Sequence, residues 1–389
     1  MTTANSPLKR SLSLPVVTLY GLGTIIGAGI YVLIGEVVAT SGYLTPAAFL
    51  MASIIAAFSA FSYAELSSRY PLSAGQAVYV QQAFGIRAYS TTIGLLMVFV
   101  GIIASATLVR GFIGYFHYLI AVDETLSIVL LVLSLGAVAA WGITQSSWIA
   151  IVTTLIEIGG LLRIIWVARD GLAEMPMLLS HASSQFSEGG WGPITAGAFI
   201  AFFAFLGFED IVNVAEEVKN PTHNLPLAII LSLVISTLLD IAISVVAIAT
   251  VPPAELAGNP APLALVYERA VGESPTFIIM VSIAAIINGT LIMMIMSSRI
   301  LYGMSRQQWL PSRLSRVNPT TKTPLFATAV ISLLILIFAL WLPLTNLAIT
   351  TSLFTLIVFF SINLSLLVIK LRDRQFDRHP DDIRCFPIW

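Results

Sequence analysis

Long apolar runs separated by short polar or Gly/Pro-rich breaks repeat along the whole chain, and a run such as Ala327 to Leu340 holds no charge. A helix that crosses about 30 Å of hydrocarbon needs about 20 mostly apolar residues, whereas the strands of a membrane barrel alternate apolar and polar positions. These runs do not alternate, so they predict membrane-spanning helices. Ten fall near 14–40, 44–66, 90–118, 125–142, 149–168, 194–216, 227–250, 276–300, 324–342 and 346–370. The first follows Lys9 and Arg10, as a signal peptide would. It is too long for the apolar core of one and lacks a small-residue cleavage site, so it reads as an uncleaved first span.

Composition narrows this reading. Hydrophobic residues make up 57% of the 389 and charged ones 10%, against about a quarter charged in soluble domains. The apolar content excludes a disordered chain. The net charge of -1 argues against a nucleic-acid partner, and the single cysteine, Cys385, against a disulfide scaffold. An all-α polytopic membrane protein, in contact with lipid, is the predicted fold class.

Charge then sets orientation. With the N-terminus in the cytoplasm, Lys9, Arg10, Arg69, Arg87, Lys219, Arg299, Arg306, Arg313, Arg316, Lys322, Lys370, Arg372, Arg374, Arg378 and Arg384 all lie inside, which is 15 of the 19 cations. The outer loops keep only Arg169 and Arg269, as the positive-inside rule requires. The predicted organisation is a cytoplasmic tail over 1–13, a core over 14–372 and a second tail over 373–389. Cys385 falls in a reducing compartment, where a structural disulfide does not form.

Two runs are interrupted. The first contains Gly21-Leu22-Gly23-Thr24-Ile25-Ile26-Gly27-Ala28-Gly29, four glycines in nine residues. The sixth contains Phe202-Phe203-Ala204-Phe205-Leu206-Gly207-Phe208-Glu209-Asp210 and opens the second set of five. A glycine-rich stretch alone reads as close helix packing. A pair at corresponding positions of two halves points instead to a transporter site, since unwound backbone in a bilayer must line a cavity or be buried in protein. The free N-H groups at a break hold a carboxylate and the free carbonyls hold an ammonium. Both together suit an α-amino acid, with its side chain sorted by neighbours such as Phe203, Phe205 and Phe208.

The motifs of the chain resemble the amino acid-polyamine-organocation superfamily of permeases, particularly its cationic-amino-acid-transporter-like bacterial branch. Gly21 to Gly35 resembles the family's first-span signature, and Tyr63-Ala64-Glu65-Leu66 with Arg69-Tyr70-Pro71 its second-span exit. Phe202 to Pro226 resembles the sixth-span segment, and Ser298 to Arg306 with Leu310-Pro311 the eighth-span exit. The resemblance implies a LeuT-type five-plus-five inverted repeat, 14–168 and 194–370, with interrupted first and sixth helices, moving amino acids by alternating access. It implies carboxylate-binding amides at Gly27, Ala28 and Gly29, preceded by Ile25 and Ile26. It implies ammonium-binding carbonyls at Phe203, Ala204 and Leu206, around Phe205, Gly207 and Phe208, with Asn288 and Thr290 facing the same cavity.

A few ionisable residues remain inside the bilayer. Glu157 lies near the midplane of the fifth span, where acids mark ion or proton paths. The resemblance sets it at about the position where proton-coupled relatives carry a lysine, so it is expected to carry a proton or hold a cation. Of Glu209 and Asp210, Glu209 is expected to face the pathway and, with Glu157, to serve proton or ion coupling. Arg163 and Asp240, at similar depth, are expected to pair across helices. Glu36 reads as an interfacial charge or an outer gate, and Arg110 as a snorkelling cation. Glu65 with Arg69, and Glu216-Glu217 with Lys219, read as helix-end electrostatics with a role at an inner gate left open. Ser73 to Gln82 reads as a short amphipathic helix on the inner membrane surface.

The expected function is secondary transport of an amino acid across a prokaryotic inner membrane, coupled to H+ or to an exchange substrate. An amino-acid sensor and a polyamine or organic-amine transporter stay open as alternatives. No nucleophile, metal set, cofactor motif or nucleotide-binding glycine loop suggests an enzyme or ATP drive. The end at Phe386-Pro387-Ile388-Trp389 looks like the threshold of an eleventh span. A truncation there, and a homodimer, stay open.

Overall fold

The computed structural model describes residues 12–26, 29–72, 75–120, 122–141, 146–319, 321 and 323–375. These residues are helical almost throughout. The first half holds α1 (Leu14–Ile26), α2 (Gly29–Ser41), α3 (Thr45–Arg69), α4 (Gly75–Phe84), α5 (Arg87–Leu119), α6 (Glu124–Trp141) and α7 (Ser146–Val167). Then come α8 (Met175–Gly189), α9 (Gly192–Ala201), two 3-10 segments (Phe202–Phe205 and Phe208–Glu217), α10 (Pro221–Thr250), α11 (Pro253–Leu256), α12 (Pro262–Val271), α13 (Thr276–Arg306), α14 (Leu325–Trp341) and α15 (Leu344–Gln375).

A helix stands at each of the ten predicted intervals. By length and apolarity, six helical stretches among the described residues can cross a membrane, or seven if the bent pair Ile151–Val167 and Arg169–Gly189 is one span. The first of the six, Leu14–Arg69, runs through both the first and the second predicted intervals, while Glu124–Ala140 and Leu325–Trp341 are shorter apolar helices.

Several boundaries move for local reasons. α10 begins at Pro221, six residues before the predicted start, and runs through Pro226. Proline fits the first turn, where an N-H has no intrahelical acceptor, so Pro221 opens the helix instead of Pro226 ending the preceding loop. Between the fifth and sixth predicted intervals the chain forms a 3-10 turn (Arg169–Glu174) followed by α8. Its His181 ring stacks on Tyr43 at 4.9 Å, and the Gln185 amide donates to the Ser41 carbonyl while accepting from Tyr43 N-H, both at 2.9 Å.

The expected helix over 73–82 appears as α4, but its place differs. Gln76, Ala77, Tyr79 and Val80 are buried, because α4 packs between α5 and α15 instead of lying on lipid. Ser73 is outside the described residues.

At the centre, α5 packs against α13, α14 and α15, and α10 packs against α3 and α1. α1 is therefore held between α10 on one side and α7 on the other. The segment before α1 is pinned as well: Leu12 forms a parallel bridge with Val218, and Lys219 N-H donates to the Leu12 carbonyl at 2.9 Å.

Candidate functional site

α1 is described as far as Ile26 and α2 from Gly29, with Gly27 and Ala28 outside the described residues. The sixth segment breaks within the described residues. α9 tightens into the 3-10 turn Phe202–Phe205, Leu206 turns extended at φ -69 and ψ 142, and Gly207 takes φ 124. Only glycine holds that φ without strain. Leu206 N-H reaches back to the Phe203 carbonyl at 3.2 Å and Asp210 N-H to the Gly207 carbonyl at 3.0 Å. Among the described residues nothing donates to the carbonyls of Ala204, Phe205 and Leu206.

The glycine run of the first span and the sixth-segment break meet. The Thr24 hydroxyl donates to the Gly207 carbonyl at 3.0 Å and also lies 2.8 Å from the Gly21 carbonyl. A methyl group on Gly207 would stand 2.6 Å from the Thr24 carbonyl carbon and oxygen, and one on Gly29 would stand 2.5 Å from Ala204 Cα. Both glycines are needed because backbone touches backbone there.

The predicted site residues divide accordingly. Ile25, Ile26, Gly29, Phe203, Ala204, Leu206 and Gly207 are buried in these two segments. Phe205 is turned edge-on to Phe49 of α3 at 6.4 Å, and Phe208 packs on Tyr63 of α3 and Phe359 of α15 at 5.7 and 5.2 Å. These two rings brace the sixth-segment break against α3 and α15. Thr290 donates its hydroxyl to the Ile286 carbonyl of its own helix at 2.7 Å. Asn288 turns to Glu157, its amide donating to Oε1 at 3.3 Å.

Glu157 is fully buried on α7, and its Oε2 has no partner among the described residues. The Tyr31 hydroxyl of α2 donates to the Glu157 backbone carbonyl at 2.7 Å, and the Tyr115 hydroxyl of α5 donates to the Tyr31 carbonyl at 2.6 Å. One turn before Glu157, the Thr154 hydroxyl packs against Gly23 of α1. The carboxyl thus sits beside the end of α1, between α2 and α13.

The expected Arg163 to Asp240 pair is not formed. Arg163 is exposed on α7 and makes no ion pair among the described residues. Asp240 is buried on α10, in line with buried Ser232, Ser236 and Ser244, with Oδ1 unpartnered. Equal depth placed the two residues together, but depth says nothing about which way each helix face turns.

Glu65 proves more than helix-end electrostatics. It is fully buried, with Arg69 of its own helix and Lys370 of α15 each 2.7 Å away, and Arg69 also pairs with Asp373 at 2.6 Å. The network ties the ends of α3 and α15 together. The Glu216 and Glu217 side chains are outside the description. Glu36 accepts from the Thr345 hydroxyl at 2.8 Å, joining α2 to α15. Arg110 pairs with Glu124 and donates to the Leu342 carbonyl at 3.1 Å, so it is anchored by protein as well as by depth.

Sequence reasoning passed over Thr24 and Tyr31. A hydroxyl inside the first glycine run, at membrane depth, was the available signal for Thr24. Nothing local announces Tyr31, whose partner is 126 positions away.

Comparison with known proteins follows from this geometry. Residues 12–388 match the family model described as amino acid permease. The chain is 30% identical to the branched-chain amino acid permease BcaP of Bacillus subtilis over 99% of its own length and 85% of that protein. It is also 30% identical to the methylthioribose transporter of the same organism, over 96% of the chain and 83% of that protein. A cationic amino acid transporter 3, mitochondrial, of Arabidopsis thaliana is 29% identical over 93% of the chain, which spans 63% of that longer protein.

Proposed function

That this chain belongs to the amino acid permease family is the premise from which we propose a secondary transporter that moves an amino acid by alternating access through ten spans of a five-plus-five inverted repeat. The N-terminus faces the cytoplasm. The substrate carboxylate lies at the start of α2, against Gly29 and the two residues before it, and the ammonium lies on the carbonyls of Ala204 and Leu206. The observation that carries this reading is the contact of the two breaks, Thr24 hydroxyl to Gly207 carbonyl at 3.0 Å. With Gly29 at the start of α2 lying against Ala204, it sets the first glycine run beside the free carbonyls of the sixth segment, the arrangement a zwitterion needs.

Coupling is to H+, carried by Glu157. A buried carboxyl with one oxygen unpartnered among the described residues can take and release a proton as its surroundings change. The test is counterflow of labelled amino acids in proteoliposomes, using branched-chain and cationic substrates because the relatives are named for them, and methylthioribose as the substrate without a carboxylate. Counterflow of at least one amino acid is expected. Binding without counterflow would leave a sensor, and counterflow of methylthioribose alone would remove the carboxylate site. Glu157→Gln is expected to keep counterflow and to lose accumulation driven by a proton gradient; unchanged accumulation would refute its role.

A further inference from the structure

The two adjacent acids of the sixth segment do different things. Glu209 Oε2 accepts the Gly207 N-H at 2.8 Å, and the Glu209 backbone carbonyl accepts the Gln76 amide at 3.2 Å. Its carboxylate thus holds the one residue whose φ defines the break. Asp210, 4% exposed, has no side-chain hydrogen bond or ion pair among the described residues.

Both acids line a small cavity just past Leu206, closed on the far side by Met97 and Gly101 of α5 and by Ser297 of α13. It measures about 10 Å³, which is room for about one water. A second void of the same size begins at Met97 and Ile300, which line both, and ends at Gln307 and Trp309 beyond α13. Of the two side chains that the voids share, Met97 is a thioether. Unbranched thioether side chains shift between rotamers easily, so the two voids can join by a turn of Met97 without moving backbone.

Charge in this region is one-sided. Among the described residues no Lys, Arg or His lines either void. Tyr63 of α3 is in electrostatic reach of both acids. α1 contributes no charged residue, and neither His223 nor Asp240 of α10 lines the voids. Asp210 is therefore a buried carboxyl without a counter-cation, aimed at a water-sized space that leads to one end of the bundle.

We propose that Asp210 exchanges protons with the inner compartment during the transport cycle, while Glu209 keeps the sixth-segment break in shape. The O-H bond of the protonated carboxyl breaks, its proton passes to a water in the void, and the carboxylate takes a proton back the same way. This deepens the proton-coupled reading above, adding an exchange point on the inner side of the break to the carrier Glu157.

The experiment has two arms. In proteoliposomes, Asp210→Asn is expected to leave counterflow at equal pH unchanged, to abolish the dependence of uptake on internal pH and to reduce gradient-driven accumulation to the level reached without a gradient. Glu209→Gln is expected to impair counterflow itself. Internal-pH dependence that survives Asp210→Asn overturns the proposal. The second arm needs no substrate. Dicyclohexylcarbodiimide, which adds to protonated carboxyls in apolar surroundings, is expected to label the wild type at position 210 in a pH-dependent way and to leave that position unlabelled in Asp210→Asn. Absence of label on Asp210 at every pH overturns the proposal. If the wild type moves no amino acid, the transport reading falls and the carbodiimide arm alone decides whether Asp210 exchanges protons.

Discussion

Glu65 and Glu157 are both glutamates on membrane helices with no exposed surface, yet their surroundings are opposite. Glu65 has two cations at 2.7 Å, one from each of two helices. Glu157 has one amide at 3.3 Å and an oxygen with no partner among the described residues. Removing an ion from water is costly, and a partner cation offsets much of that cost only while the charge stays fixed. Glu65 is thus bound to one charge state, and its network works as a clasp between α3 and α15. Glu157 faces no fixed counter-charge among the described residues, as the proton-carrying role proposed above requires. Burial alone does not separate a structural acid from a working one, whereas the count of fixed counter-charges does.

The comparison can be broken most readily at Glu65. Glu65→Ala leaves Lys370 without its buried partner, and breaking a buried pair of this kind costs about 3–5 kcal/mol. A corresponding loss should appear in denaturant unfolding of the detergent-solubilised protein, and stability near wild type would show that the clasp is not a buried ion network. Glu157→Gln comes next. It preserves the contact with Asn288, so stability should stay within about 1 kcal/mol while gradient-driven accumulation is lost. A large destabilisation would make Glu157 a second structural acid. The smallest effect belongs to Asp373→Asn, at the rim of the same network with its side chain 44% exposed. Exposed pairs contribute about 0.2–1 kcal/mol, so unfolding should shift by no more than that and less at high salt. A shift as large as that of Glu65→Ala would place the energetic centre of the network at its rim.

Much of this was legible in the chain itself, and the exceptions share a cause. The apolar runs announce helices because length and composition are local properties. Gly207 announces a break because the permitted φ is a property of the residue itself, whereas Gly21, Gly23 and Gly29 serve close helix packing. What could not be read was azimuth. Arg163 and Asp240 matched in depth and faced different ways. Glu157 and Asn288 were each singled out for separate reasons, and only the packing of α7 on α13 makes them partners. Glu209 and Asp210 are neighbours in sequence, and a local turn at Gly207 decides which carboxylate caps the break and which one faces open space. α4 kept its amphipathic pattern but turned it toward protein, since pattern reports that one face is apolar and not what covers it.

The bridge between Leu12 and Val218 has a mechanical consequence. α1 enters the bundle from Leu12, and the sixth segment leaves it at Val218, so one backbone hydrogen bond, Lys219 N-H to the Leu12 carbonyl at 2.9 Å, couples the start of α1 to the end of the sixth segment. The halves are joined a second time at their tips, Thr24 to Gly207. Two rods linked at both ends lose their independent degrees of freedom. They tilt as a single lever, or one of the two links has to open before they can move apart.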